Sequence, residues 1–128
     1  MIREVSMKNT GRIIVALIIT SYCSILWAED PRPKALVATG GNEVVYLQAN
    51  PAPMELRGYY VYRALPNGEF KRLNAELLRE PFYADKNVVN GQDYWYVITA
   101  VDMNGVEHGP SKMVKASPTP QQKPMTGY

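Results

Sequence analysis

The chain has 128 residues, with 14 Lys and Arg against 12 Asp and Glu, one His and one Cys; that length bounds it to one small domain plus a targeting or tail segment. Residues 1–28 carry Arg3, Lys8 and Arg12 against Glu4, which leaves residues 29–128 with 11 basic and 11 acidic side chains. A nucleic-acid-binding domain keeps a basic patch on its folded part, so that class is excluded, and the neutral remainder favours neither acidic nor basic partners.

The N-terminal basic residues precede an apolar run, Ile13–Ile19, which resumes as Ile25, Leu26, Trp27 and Ala28 after a polar interruption. A charged start, a short apolar stretch and a small terminal residue are the parts of a secretory signal peptide. A spanning helix needs roughly 20 apolar residues. Only 16 run from Ile13 to Ala28, broken by Thr20, Ser21 and Ser24. The expectation is a signal peptide over residues 1–28, cleaved after Ala28, and a protein exported to the periplasm or the extracellular space. Cleavage there removes Cys23, the sole cysteine, so the mature chain has no disulfide. The alternatives are a membrane tether, through an uncleaved apolar segment or a lipidated Cys23.

Residues 29–34 read as a Pro-punctuated linker. Strand candidates then follow in order. Ala35–Ala38 closes at Gly40 and Gly41. Val44–Ala49 puts Val45, Leu47 and Ala49 on one face, before Pro51 and Pro53. Tyr59–Arg63 opens after Gly58, and Phe70–Leu73 follows the turn Pro66-Asn67-Gly68. Residues 74–80 have the pattern of one helical turn, stopped by Pro81. Phe82 and Tyr83 form a short strand, Asn90-Gly91 a turn, and Tyr94–Asp102 the longest strand. Asn104-Gly105 is a hairpin signal leading to a last strand that ends near Ala116. Seven short strands with turns between them predict an all-β sandwich over residues 35–116. Such a chain buries roughly 60–65% of its unfolded surface, enough to fold without disulfides. Residues 117–128, with Pro118, Pro120 and Pro124, read as a disordered or extended tail.

The ordered set Gly58–Arg63, Phe70, Leu73-Asn74, Tyr83-Ala84-Asp85, Asn90–Asp102, Gly105 and Pro110-Ser111 resembles a fibronectin type III domain of the kind found in bacterial exported proteins. The resemblance covers about residues 33–117. It implies a seven-stranded immunoglobulin-like β-sandwich with sheets of three and four strands, the third, fourth, sixth and seventh strands forming the larger. Tyr94 matches the family's tyrosine corner, a structural role. The family usually places a Trp on the second strand where this chain has Ala49. An unfilled void of that size would cost several kcal/mol, so Tyr59, Tyr96 and Phe82 are the candidates to occupy it.

No catalytic set is expected. His108 could be grouped with Ser111 and Asp85 or Asp102, but nothing supplies the strained nucleophile turn or oxyanion donors of acyl transfer. Residues 102–107 offer too few oxygen ligands for calcium, so neither a metal nor a cofactor is implied. Strand alternation turns Tyr60, Tyr62 and Trp95 outward on neighbouring strands. They form an expected exposed aromatic patch of the kind that marks interaction sites, unless they only pair across strands. The reading is an exported, non-enzymatic binding or scaffolding module that holds another exported or envelope protein. The alternative is a carbohydrate-binding accessory domain that stacks polysaccharide on the same three rings.

Overall fold

The structure is a computed structural model and describes residues 30–121. The signal-peptide expectation, Cys23 and the last seven residues of the tail lie outside the described residues. Among the described residues there is no helix; the strands are β1 (Lys34–Gly41), β2 (Val44–Asn50), β3 (Leu56–Ala64), β4 (Lys71–Arg72), β5 (Phe82–Asp85), β6 (Tyr94–Asp102), β7 (Glu107–His108) and β8 (Val114–Ala116). They form two antiparallel sheets, β1-β2-β5 and β4-β3-β6-β7, with β8 pairing β6 beyond β7.

The expected seventh strand is split in two. Pro110 has no N–H to donate to a ladder, and between β7 and β8 Ser111 makes the connection instead. Its main-chain N–H donates to Ile98 O at 2.9 Å, and its hydroxyl oxygen accepts from Ile98 N at 3.0 Å.

The alternation of β2, β3 and β6 supplies the core. Val45, Leu47 and Ala49 face Tyr59, Val61, Tyr94, Tyr96, Ile98 and Ala100 across the sandwich, with Leu36, Val88 and Ala116 closing the ends. Each large side chain so buried contributes about 1.5–3 kcal/mol. The hydroxyl of Tyr59 accepts from Ala52 N at 3.2 Å, so this ring reaches from β3 to the end of β2, beside Ala49. Phe82 does not fill that space. It pairs with Gln48, and directly opposed residues share a face, so it points outward with Gln48.

Residues 74–80 are not helical. Leu73 N donates to Val61 O, and Tyr59 and Leu78 exchange both of their main-chain hydrogen bonds. Asn74 is buried. Its Oδ1 accepts from Val61 N at 2.8 Å, and its Nδ2 donates to Tyr59 O and Glu76 O. An amide side chain that substitutes for main-chain partners holds the segment along the edge of β3, which outweighs its weak helical pattern. Gly58 permits this close approach: it has a φ of 153°, and a Cβ there would lie 2.4 Å from Leu78 O.

The ordered domain is longer at both ends than the 35–116 expectation. Pro33 is buried and Lys34 already belongs to β1. Pro118 is fully buried, its carbonyl accepts from Gly91 N at 2.9 Å, and Thr119 N donates to Gly41 O at 3.0 Å. The chain passes so close to Gly40 that a Cβ there would lie 2.2 Å from Ser117 O. Residues 117–119, read above as the start of a loose tail, are therefore packed against the sandwich.

One buried charge joins the two sheets. Asp85, at the end of β5, accepts from Arg63 Nη1 at 2.9 Å, from the Tyr96 hydroxyl at 2.9 Å and from Asn87 N at 3.2 Å. Burial, reinforced by the bond to Asp85, pushes the Tyr96 hydroxyl far above its ordinary pKa, so it stays a donor.

Candidate functional site

The three outward aromatic residues lie on one face of the five-stranded sheet. Tyr60 pairs with Thr99, Tyr62 with Val97, and Ala64 with Trp95. The rings therefore run diagonally across β3 and β6, with Tyr60 and Trp95 at opposite ends. All three are half-buried, and their own neighbours occupy them. The Arg72 guanidinium sits 4.4 Å from the Tyr60 ring centroid, and Lys115 Nζ lies 5.6 Å from that of Trp95. Tyr62 donates its hydroxyl hydrogen to Glu107 Oε1, which also accepts from the Thr99 hydroxyl at 2.7 Å. Burial and then the Glu107 carboxylate raise the Tyr62 pKa. Thr99, Val97 and Val101, on the same side of β6, are buried as well.

Trp95 has different company at its end of the sheet. With Ala64, Leu65, Pro66, Phe70 and Met113 it lines a groove of about 460 Å³, in which Leu65, Phe70 and Met113 are exposed. The turn after β3 makes one wall: Gly68 N donates to Leu65 O at 2.9 Å, and Asn67 takes a φ of 57°, the positive value a type II turn requires at its third position. Leu65 and Phe70 flank this turn, so two apolar side chains beside Pro-Asn-Gly were the available signal for the groove. Met113 comes from the distant connection between β7 and β8 and carried no such signal.

Ser111, Asp85, Asp102 and His108, grouped above on sequence, have separate structural partners. The Ser111 hydroxyl donates to Lys112 O at 3.1 Å while accepting from Ile98 N, and Asp85 belongs to the core. His108 Nε2 lies 2.7 Å from Asp102 Oδ2, while Asp102 Oδ1 accepts from Asn104 N and Val106 N, each at 2.9 Å. The His108 hydrogen bond, followed by that of Val106 N–H, lowers the Asp102 pKa. Both carboxylate oxygens thus serve the β6–β7 hairpin.

No protein-family model matches the chain. Among curated proteins, it is 35% identical over 89 residues to an amylopullulanase from Thermoanaerobacterium thermosulfurigenes, a match covering 67% of this chain and 5% of that protein. Among solved structures, a Fn3-like protein from Clostridium thermocellum aligns with a TM-score of 0.59 and 28% identity over 71% of this chain and 93% of that one. The folded part of this chain is a fibronectin type III-like domain. A β-1,2-glucanase from Parabacteroides distasonis contains the same fold, with a TM-score of 0.62 and 22% identity over 75% of this chain and 13% of that one.

Within this fibronectin type III-like domain, Tyr94 ties the corner before β6: its hydroxyl accepts from Val89 N at 2.9 Å, the geometry of a tyrosine corner. Arg63 lies 5.3 Å from its ring centroid, linking the corner to the Asp85 network. Ala49 is buried in the core, with Tyr59 on the facing sheet.

Proposed function

We propose that this fibronectin type III-like chain is an exported, non-catalytic binding module, and that it holds an apolar segment of another exported or envelope protein in the Trp95 groove. The observation that carries this reading is the open apolar groove itself: Leu65, Phe70 and Met113 remain exposed around Trp95. Aromatic and Met side chains are enriched at protein interfaces. Domains of this fold are generally non-catalytic modules, and the matched segments make up 5% of the amylopullulanase and 13% of the glucanase. That supports an accessory role rather than an activity of its own.

Those two relatives, both named for polysaccharides, favour the second reading, a carbohydrate-binding module that uses Tyr60, Tyr62 and Trp95. The positions of Arg72 and Lys115 weigh against it on this face, since a stacked sugar would have to displace a cation from Tyr60 or Trp95. A photo-crosslinking residue at position 70, in the chain expressed in its native host, tests both readings. Protein docking predicts a discrete protein adduct that Met113→Asp abolishes, while polysaccharides leave Trp95 fluorescence unchanged. Quenching of Trp95 by a polysaccharide, with no protein adduct, would replace this reading with the second.

A further inference from the structure

The outer face of the other sheet is built on different chemistry. Register places Val37, Gln48 and Phe82 in one row across β1, β2 and β5, with Thr39 and Tyr46 in the next. Val37 is 59%, Tyr46 45% and Phe82 52% exposed. Together with Asn50 these residues line a shallow groove of about 230 Å³. The edge strand beside it is irregular: Ala35 takes a φ of 55° within a register shift between Lys34 and Val37. Bulges of this kind occur at sheet edges and near sites, where they re-aim side chains.

Two features define the chemistry of this groove. None of its lining side chains is charged. Among the described residues, moreover, the side chains of Thr39, Tyr46, Gln48 and Asn50 make no hydrogen bond to the rest of the protein. Two amides and two hydroxyls therefore stand unpaired around two exposed aromatic rings.

Charge complementarity decides which ligand suits this surface. An ionic ligand would lose hydration without gaining a counter-charge. A purely apolar segment would cover four polar groups without satisfying them. A neutral sugar avoids both penalties: its hydroxyls donate and accept, matching the mixed capacity of Gln and Asn side chains, and its C–H faces pack on aromatic rings. Apolar surface with a few placed polar groups is also the usual make-up of a small-ligand site.

We propose that the outer face of the β1-β2-β5 sheet is a saccharide-binding site for neutral hexose oligosaccharides, with Tyr46 and Phe82 stacking on the sugar and Thr39, Gln48 and Asn50 bonding its hydroxyls. The site is separate from the Trp95 groove and does not depend on it. The shallow groove contacts one or two sugar units, so binding of millimolar strength is expected.

The test is an amide-shift titration of the ¹⁵N-labelled full chain with maltohexaose, cellohexaose and tetragalacturonate. The expected result is saturable shifts on β2 and β5 with at least one of the two neutral hexaoses, and none with the acidic oligomer. Tyr46→Ala and Phe82→Ala, both at exposed positions, should each weaken binding about tenfold while leaving the β6 amide shifts in place, and Trp95→Ala should change nothing. Absence of shifts with both neutral sugars would overturn the proposal. So would equal binding of tetragalacturonate, shifts centred on Trp95, or concentration-dependent shifts on β2 and β5 without sugar, which would identify the face as a contact between copies of this chain.

Discussion

The two outer faces of this sandwich carry similar numbers of outward aromatic residues and use them in opposite ways. On the five-stranded sheet, Arg72 covers Tyr60, Lys115 approaches Trp95, and Glu107 takes the hydroxyls of Tyr62 and Thr99. On the three-stranded sheet, Tyr46, Gln48 and Thr39 have no such partners among the described residues, and Phe82 lies open. An outward aromatic residue is therefore not in itself an available one. What leaves a surface open is that side chains remain unoccupied within the molecule, as they do on the three-stranded sheet and, for Leu65, Phe70 and Met113, at the Trp95 end of the other.

The strongest perturbation acts on what the two faces share. Asp85 links β5 to β3 and β6, and removing one partner of a buried pair typically costs 3–5 kcal/mol. Because Arg63 remains partly exposed, Asp85→Ala is expected to cost about 2–3 kcal/mol in urea unfolding, with both faces lost in one transition. A cost no larger than that of an ordinary surface substitution, about 0.5 kcal/mol, would show that this residue does not couple the sheets. Tyr94→Phe should follow at about 1 kcal/mol, since Val89 N loses its acceptor.

Smaller effects distinguish the faces. Arg72→Ala should cost about 0.5–1 kcal/mol through loss of its contact with Tyr60. Gln48→Ala, on the open face, should stay within about 0.5 kcal/mol of the parent. Equal costs for the two variants would remove the contrast between occupied and open surfaces. The mildest effect is on pH dependence. The folded-state pKa of Asp102 lies below its ordinary value, so its stabilising contribution is complete above the unfolded carboxylate pKa of about 3.9. It is lost as pH falls through the lower folded value. Asp102→Asn should flatten that acidic limb of a stability profile, lowering stability slightly at neutral pH and leaving the acid end nearly unchanged.

Much of the fold was legible because strand side chains alternate with a period of two. Val45, Leu47 and Ala49, like Tyr94, Tyr96 and Ile98, could be turned inward from spacing alone, and Asn104-Gly105 marked its hairpin. Residues 74–80 were misread because Asn74 bonds main-chain groups 13 and 15 residues away, which no local window contains. Ser117–Thr119 looked like loose chain because their partners, Asp93, Gly91 and Gly41, are still more distant in sequence.

The candidate sites divide along the same line. Sequence alone determined that Tyr60, Tyr62 and Trp95 leave the core, since parity along a strand settles inward against outward. It did not reveal that Arg72, Lys115 and Glu107 would occupy that face, that Met113 would join Leu65 and Phe70 around Trp95, or that Phe82 would line up with Gln48 and Val37. Those outcomes depend on register and on loops brought together from distant parts of the chain. Alternation is a property of a single strand, whereas occupancy of a surface belongs to the neighbours that only the packed sandwich supplies.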